Sequence, residues 1–533
     1  MNGLMMDFQL TLPAILRRAE TYFPHQEIVS RLPDRSFHRY TYADFARRSR
    51  QLAVALQQLG LERGDRVATL AWNHSVHHEA YFGIPCAGLV LHTLNLRLHP
   101  SDLAYIASHA GDRAVIVDRS LVPLLEQFHE RTQIEHVFVV EDSYEELLAS
   151  ADPAAYRDPE LDENEASAMC YTSGTTGLPK GVLYSHRSTV LHSLVEALIK
   201  PLGFSITEGD AFLPVVPMFH AMAWGYPYTC TIMGAKLVYP GPHLDAQSLL
   251  EDIEQEGVTV SAGVPTIWLG MLQLLDRGPD RFDLSKLRAM LVGGAAAPRA
   301  LIAGFKQRHG IQIVHGWGMT ETSPLASVSD YLGDLHEADE EMQLDVVAMQ
   351  GLPLPFVELR ARDEDGTEIA RDAETMGELE VRGPWVAAGY YDTPEQTDRW
   401  TEDGWFKTGD IVSFHPLGYV QIKDRSKDVI KSGGEWISSV ELENALMAHP
   451  AVAEAAVIAI PDPRWDERPL AAVVLREGAT ATADELREFL EPQFAKWWLP
   501  DRFEFVDEIP KTGVGKFRKT ALRERFAATP TTT

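Results

Sequence analysis

The sequence predicts an α/β fold: a large N-terminal domain of helix-covered parallel sheets, a small β-rich subdomain, and a small α/β domain at the C-terminal end. Three observations carry this reading. Short apolar runs alternate with helix-length segments through residues 8–150 and again through 245–315, the pattern of a parallel sheet covered by helices. From Phe356 the pattern changes to short alternating strands, and the turn pairs Asp365-Gly366 and Asp403-Gly404 fit hairpins. At 533 residues the chain is also too long for one ordinary core.

In the first stretch, residues 66–72, 89–94, 114–118 and 136–140 read as strands, with helices over 75–88 and 121–128. His74, His77 and His78 are spaced to share a helix face. No cysteine or further ligand pattern accompanies them, and a polar helix start explains them as well as a metal would.

Residues 167–171 read as a strand and 186–199 as a helix. Between them runs Tyr171-Thr-Ser-Gly-Thr-Thr-Gly-Leu-Pro-Lys-Gly181, with hydroxyls at Thr172, Ser173, Thr175 and Thr176, glycines at Gly174, Gly177 and Gly181, and one lysine, Lys180. Glycines let backbone N–H groups turn inward, and inward N–H groups with hydroxyls and a lysine make an anion-binding concavity. The segment reads as a polyphosphate cradle. A Walker A loop needs Gly-Lys-Ser/Thr, whereas Lys180 lies between Pro179 and Gly181, which excludes the ordinary P-loop.

Three further segments stand out. Residues 212–217 lead into Met218-Phe-His-Ala-Met-Ala-Trp224, where His220 reads as a core histidine unless a pocket adjoins it. The strand 287–292 ends at Gly293-Gly-Ala-Ala-Ala-Pro-Arg299; small residues at the carboxyl end of a parallel strand admit ligands. Val314-His-Gly-Trp-Gly-Met-Thr-Glu-Thr322 ends another strand. There the glycines let a planar base approach the backbone, Trp317 offers a stacking face, and Glu321 offers a hard oxygen ligand suited to Mg²⁺.

The β-rich stretch includes strands at 357–361, 377–381 and 414–422 and contains Lys407-Thr-Gly-Asp410. A second dense motif follows, Tyr419-Val-Gln-Ile-Lys-Asp-Arg-Ser-Lys-Asp-Val-Ile-Lys-Ser-Gly-Gly-Glu-Trp-Ile437. The last hundred residues read as strands 453–460, 470–475 and 503–506 with a helix over 483–494, ending in Pro510-Lys-Thr-Gly-Val-Gly-Lys516.

Bulk properties narrow the function. A net charge of −29 argues against a nucleic-acid partner. No apolar stretch reaches the ~18 residues of a membrane span, and the first residues lack the basic flank of a signal peptide. Cys86, Cys170 and Cys230 are widely spaced in apolar runs, as buried thiols of a reducing compartment. The expectation is a cytoplasmic protein. The thirteen lysines all fall at or after Lys180, eight of them from Lys407 onward. They mark either places that require a compact ammonium or a solvated face.

The Tyr171–Gly181 string resembles the phosphate-binding signature of the adenylate-forming superfamily: acyl-CoA synthetases, peptide-synthetase adenylation domains and beetle luciferases. The resemblance runs from about residue 10 to 525, with five motifs in family order, and the chain looks most similar to bacterial medium- and long-chain fatty acyl-CoA synthetases. The resemblance implies a domain of residues 1–423, including the β-rich 356–423, and a mobile domain of residues 424–533 hinged at Asp424. It implies ATP and AMP contacts from Thr172, Ser173, Gly174, Thr175, Thr176, Gly177, Lys180, Gly294, Ala295, His315, Gly316, Trp317, Gly318, Met319, Thr320, Asp410, Arg425, Lys427 and Lys431. Asp410 matches the ribose ligand. The acyl pocket would take His220, Ala221, Trp224, Gly293, Trp317 and Gly318, with Trp224 as an aromatic gate. CoA would pass Lys431, Gly433, Gly434, Glu435 and Trp436, and Thr172 and Glu321 would hold Mg²⁺. The family usually has a tyrosine where this chain has Trp317, which keeps the aromatic face and loses the phenol.

The reaction so implied is ATP-dependent activation of a carboxylic acid to an acyl-adenylate, then thioester formation with CoA, on a homodimer. Lys516, Thr172, Thr320, Glu321, His220 and Arg425 are the expected catalytic residues, Lys516 foremost. Aromatic residues around Trp224 and Trp317 favour a medium- or long-chain fatty acid; a short or sulfur-containing acid such as 3-methylthiopropionate is the alternative, and a luciferase-like oxygenase the alternative of another class.

Overall fold

The computed structural model describes residues 1, 3–172, 178–278, 281–393, 397–433, 435–511 and 517–526. They form two compact units: Met1–Glu358 with Arg382–Phe406, and Leu359–Val381 with Lys407–Thr533. Motif order groups residues 1–423 together, whereas compactness groups 359–381 and 407–423 with the C-terminal segment.

The first unit is built on two sheets. In one, the strands His136–Val139, Asp112–Val117, Arg66–Leu70, Val90–Thr93 and Ala166–Tyr171 run parallel in that spatial order. The other has nine strands among the described residues, with Gln312–Gly318, Ala289–Val292, Val260–Gly263, Ala211–Pro214, Lys236–Tyr239 and Glu27–Arg31 parallel at its centre. Strands covered on both faces read as continuous apolar runs, and Ala289–Val292 is buried throughout. Helices Pro265–Arg277 and Arg299–His309 join its core through Trp268, Met271, Leu301 and Phe305. The buried Trp268 Nε1–H donates to the Leu291 carbonyl at 3.2 Å, so the large ring packs without an orphaned polar atom.

Two expectations need correction. The 171–181 string does not lead from a strand straight into a helix. A further strand, Gly181–Ser185, pairs antiparallel with Ala166–Tyr171 and precedes the helix, which begins at His186 as expected. Val182 and Tyr184 are buried while Leu183 is exposed, the period of two that a one-sided strand requires. Likewise 414–422 is not one strand: Phe406–Phe414 and Val420–Arg425 form a hairpin that turns at His415–Gly418, where Gly418 takes φ 92°.

In the second unit, Glu358–Arg362, Gly377–Arg382, Phe406–Phe414 and Val420–Arg425 make a four-stranded sheet. The long strands Val452–Asp462 and Asp466–Leu475 anchor a five-stranded sheet against helix Ser439–Met447 and helix Ala483–Leu490. Thr482 and Glu485 form a capping box at the start of the latter helix. Cys86, Cys170 and Cys230 are buried and unpaired, and burial pushes the Cys86 thiol up to about 12. No helix among the described residues is long and apolar enough to cross a membrane.

Candidate active site

In the first unit the site is assembled at the carboxyl ends of the strands, where parallel sheets leave their ligand crevice. The described base of the phosphate-loop candidate is closed by two reciprocal bonds. Thr172 N–H donates to the Lys180 carbonyl at 2.9 Å, and Lys180 N–H donates to the Thr172 hydroxyl at 3.1 Å. Ser173, Gly174, Thr175, Thr176 and Gly177 lie outside the described residues.

Lys180 reaches a partner that no local sequence pattern marks. Its Nζ stands 4.8 Å over the ring of Tyr390, whose hydroxyl donates to Glu321 Oε1 at 2.6 Å. The adjacent Tyr391 N–H donates to the Gly181 carbonyl, and Ala387 N–H to that of Glu321. The segment around 387–391 thus ties the loop base to the Thr320–Thr322 turn. Tyr184, on the hairpin's second strand, donates to the Thr320 carbonyl at 2.7 Å. Burial pushes the Tyr390 phenol well above its ordinary range, so it remains a donor to Glu321.

Gly318 has no alternative residue at its position: a Cβ there would lie 2.0 Å from the Pro324 carbonyl oxygen, and Met319 N–H donates to that same oxygen. Close backbone approach, not turn flexibility, explains this glycine. His315 is buried with both ring nitrogens on main chain: Nδ1–H donates to the Ala348 carbonyl at 3.0 Å, and Nε2 accepts from Ala297 N–H at 3.4 Å. Burial holds its pKa down at about 4, which keeps the ring neutral for this arrangement. Its side chain fixes the 293–297 loop to the neighbouring helix end. Gly294 and Ala295 on that loop are exposed, and Gly294 takes φ 78°.

His220 leads into a left-handed turn that includes Trp224. Ala221, Met222, Ala223 and Trp224 have φ of 44°, 56°, 49° and 57°, followed by Gly225 at 84°. Left-handed geometry costs a non-glycine residue about 1–2 kcal/mol, so surrounding bonds must over-determine this turn. It buries Trp224 against the glycine loop: a Cβ at Gly293 would stand 3.1 Å from Trp224 Cη2, and one at Gly294 3.7 Å from Cζ2. On its other side, a Cβ at Gly225 would lie 2.7 Å from Nδ1 of the buried His192. His220, Phe219, Thr172, Tyr171, Asn95 and Thr93 help line one small pocket. The structure therefore brings His220 to Thr172 and Trp224 to Gly293.

In the second unit, Asp410 and Arg425 face each other across a hairpin, with Arg425 Nε 2.9 Å from Asp410 Oδ1. Asp424 is buried within this unit; its Oδ2 accepts from Ser439 N–H at 2.6 Å and from the Ser439 hydroxyl, and burial raises its pKa. Lys431 pairs with Glu364 at 2.6 Å and lies 5.7 Å over Trp436. Gly433, at φ 62°, packs beneath Trp465 and donates its N–H to the Trp465 carbonyl. Lys427 is exposed at the surface, and desolvation by its neighbours lowers its pKa. Gly434 and Lys516 lie outside the described residues. Among the C-terminal lysines, Lys423, Lys431, Lys511 and Lys519 pair with Glu441, Glu364, Glu454 and Glu443, so ion pairing explains part of the lysine clustering.

Among the described residues no group of three or more His, Cys, Asp or Glu side chains could hold a metal ion. His74, His77 and His78 bond separately to Asp118, Thr69 and Thr231. A buried single carboxylate, Glu321, fits Mg²⁺, which commonly takes one or two protein carboxylates together with substrate phosphates and water.

The AMP-binding enzyme family matches residues 16–391, and the AMP-binding enzyme C-terminal domain matches residues 441–516. The chain is 50% identical to a long-chain-fatty-acid–CoA ligase of Thermus thermophilus, over 98% of this chain and 96% of that one. It is 43% identical to a 3-methylmercaptopropionyl-CoA ligase of Ruegeria lacuscaerulensis, over 99% of both. Its fold matches the crystal structure of ATP-bound MatB from Rhodopseudomonas palustris with a TM-score of 0.85 and 27% identity, over 98% of this chain and 99% of that one. With motifs, fold and full-length relatives in agreement, the chain belongs to the AMP-binding enzyme family, the adenylate-forming superfamily that its motifs resemble.

Proposed function

We propose that the protein is an AMP-forming fatty acid–CoA ligase acting on medium- or long-chain acids. The observation that carries the acyl assignment is the buried Trp224, held on a left-handed turn against Gly293 and Gly294 with His220 at the adjoining pocket. An indole at that place suits the mouth of an apolar tunnel, and the long-chain relative supports the same substrate class.

In the first half-reaction a carboxylate oxygen attacks the α-phosphate of ATP, the α–β bridging bond breaks, and pyrophosphate leaves. Lys516, Lys180, Thr172 and Thr320 offset the negative charge, and catalysis rests on positioning and electrostatics. Mg²⁺, held by Glu321 and Thr172, would neutralise phosphate charge. Asp410 and Arg425 hold the ribose. The C-terminal domain then rotates at Asp424 and withdraws Lys516; the CoA sulfur passes Gly433 and Gly434, attacks the acyl carbon, and AMP leaves. Lys516→Ala is therefore expected to abolish adenylation while sparing thioester formation from supplied acyl-AMP.

Trp317 favours a second reading. A bulkier ring than tyrosine shortens the acyl pocket, which suits a short or sulfur-containing acid, and one relative is a 3-methylmercaptopropionyl-CoA ligase. AMP formation dependent on ATP and CoA, measured across straight-chain acids from propionate to stearate with 3-methylthiopropionate included, separates the two. A maximum at eight carbons or longer supports the fatty-acid reading. A maximum at six or fewer supports the short pocket, and no AMP with any acid defeats both.

A further inference from the structure

The left-handed turn between His220 and Gly225 has local main-chain bonds from Ala223 N–H to the His220 carbonyl and from Tyr226 N–H to the Ala223 carbonyl, yet four of its five positive-φ residues carry side chains. The side chains that bond the segment feeding it come from a loop, a helix and a strand of the neighbouring layer. Asn73 is buried, and its amide spans the strand end that feeds the turn. Nδ2 donates to the Pro214 and Val216 carbonyls, both at 2.9 Å, and Oδ1 accepts from Met218 N–H at 2.7 Å. Tyr81, fully buried on helix Ser75–Cys86, donates its hydroxyl to the Met218 carbonyl. Thr93, at the end of strand Val90–Thr93, donates to the Phe219 carbonyl at 3.2 Å. Three side chains from one sheet layer thus occupy five main-chain polar groups from Pro214 to Phe219, up to the residue before His220.

We propose that Asn73, Tyr81 and Thr93 form a positioning clamp that holds the 221–225 turn, and thereby sets where His220 and Trp224 stand and which acyl chains the site accepts. The proposal rests on the fatty acid–CoA ligase reading for its substrate, but not for its mechanics. Four of the five main-chain groups, those of Val216, Met218 and Phe219, belong to residues outside any helix or strand, and buried backbone groups demand a partner. Asn73 uses both amide protons and its oxygen, the full fork an asparagine offers. Aspartate cannot reproduce it, because an ionised carboxylate only accepts. None of the three side chains needs to touch the reacting atoms; Thr93 lines the pocket, and its hydroxyl is turned to the Phe219 carbonyl.

The test compares Tyr81→Phe, Thr93→Val, Thr93→Ser and Asn73→Asp in the full-length protein. The first two remove one hydroxyl with little change in shape, and Thr93→Ser keeps the hydroxyl as a rescue. Tyr81→Phe and Thr93→Val are expected to lower kcat/KM for the preferred acid about tenfold and to flatten the chain-length profile, since small misplacement of a positioned group is costly. The KM for ATP is expected to stay within about twofold, because none of the clamp's bonds falls on a residue proposed to contact ATP. Amide hydrogen exchange is expected to quicken in the 214–225 peptide, with Thr93→Ser matching the parent protein. Unchanged exchange in that peptide overturns the clamp, as does an equal loss for ATP and every acid. Asn73→Asp is read by exchange if it folds, and the two hydroxyl variants decide the matter if it does not. Should the parent protein activate no acid at all, the functional reading fails, and exchange in 214–225 alone still decides the clamp.

Discussion

The Tyr390 hydroxyl donates to the Glu321 carboxylate at 2.6 Å, and the same ring carries the Lys180 ammonium 4.8 Å above it. One aromatic side chain thereby orients the carboxylate proposed to hold Mg²⁺ and steadies the lysine of the phosphate loop. A partner that aims a metal-binding carboxylate affects metal affinity strongly. Tyr390→Phe keeps the ring face and removes the hydroxyl. The half-saturating Mg²⁺ concentration for pyrophosphate release is expected to rise about tenfold, within the range seen for such partners. The KM for the acid is expected to change little. Magnesium titrations of parent and variant check this, and an unchanged midpoint would leave the bond with a packing role only.

Gly318 gives a sharper steric prediction. A methyl group there meets the Pro324 carbonyl oxygen at 2.0 Å, and that oxygen also accepts from Met319 N–H. Backbone must shift, and Thr320 and Glu321 follow within three residues. Gly318→Ala is expected to destabilise the first unit by about 1–3 kcal/mol, the usual range for overpacking. It is also expected to abolish pyrophosphate release at temperatures where the protein remains folded. Thermal unfolding alongside the activity assay separates the two effects.

Much of this site is legible in the amino-acid sequence because its signals are local. The glycine at 318 and the glycine at 293, just after Val292, each announce close backbone approach. Three parts are not. Strand Gly181–Ser185 begins at a glycine and ends at a serine, so its period of two spans only Val182 to Tyr184. Tyr390 lies 210 residues from Lys180 in sequence, and nothing near Tyr390 marks it as a partner. The turn at 221–224 contradicts local propensity outright, because alanine, methionine and tryptophan disfavour positive φ. The segment that feeds it is held by long-range bonds from Asn73, Tyr81 and Thr93, and a linear reading has no access to those.

His315 shows the same limit from the other side, and its chemistry makes a pH prediction. The motif implies a nucleotide contact; in the structure the ring joins Ala297 N–H to the Ala348 carbonyl, and burial depresses its pKa from 6.5 to about 4. A depressed histidine binds its proton more readily when unfolded. The stability linked to it is therefore full above pH 6.5 and is lost as pH falls toward 4. His315→Asn keeps a donor and an acceptor but does not titrate. The stability of the parent relative to His315→Asn is expected to fall between pH 6.5 and 4, approaching a slope of about 1.4 kcal/mol per pH unit for one proton. Urea unfolding of both proteins across that window measures the difference directly, and it cancels the other titrating groups that the two share. A difference independent of pH would mean that the ring takes up its proton equally in the folded and unfolded states, and Nε2 would then not be held as an acceptor for Ala297 N–H, a role that a protonated ring cannot fill.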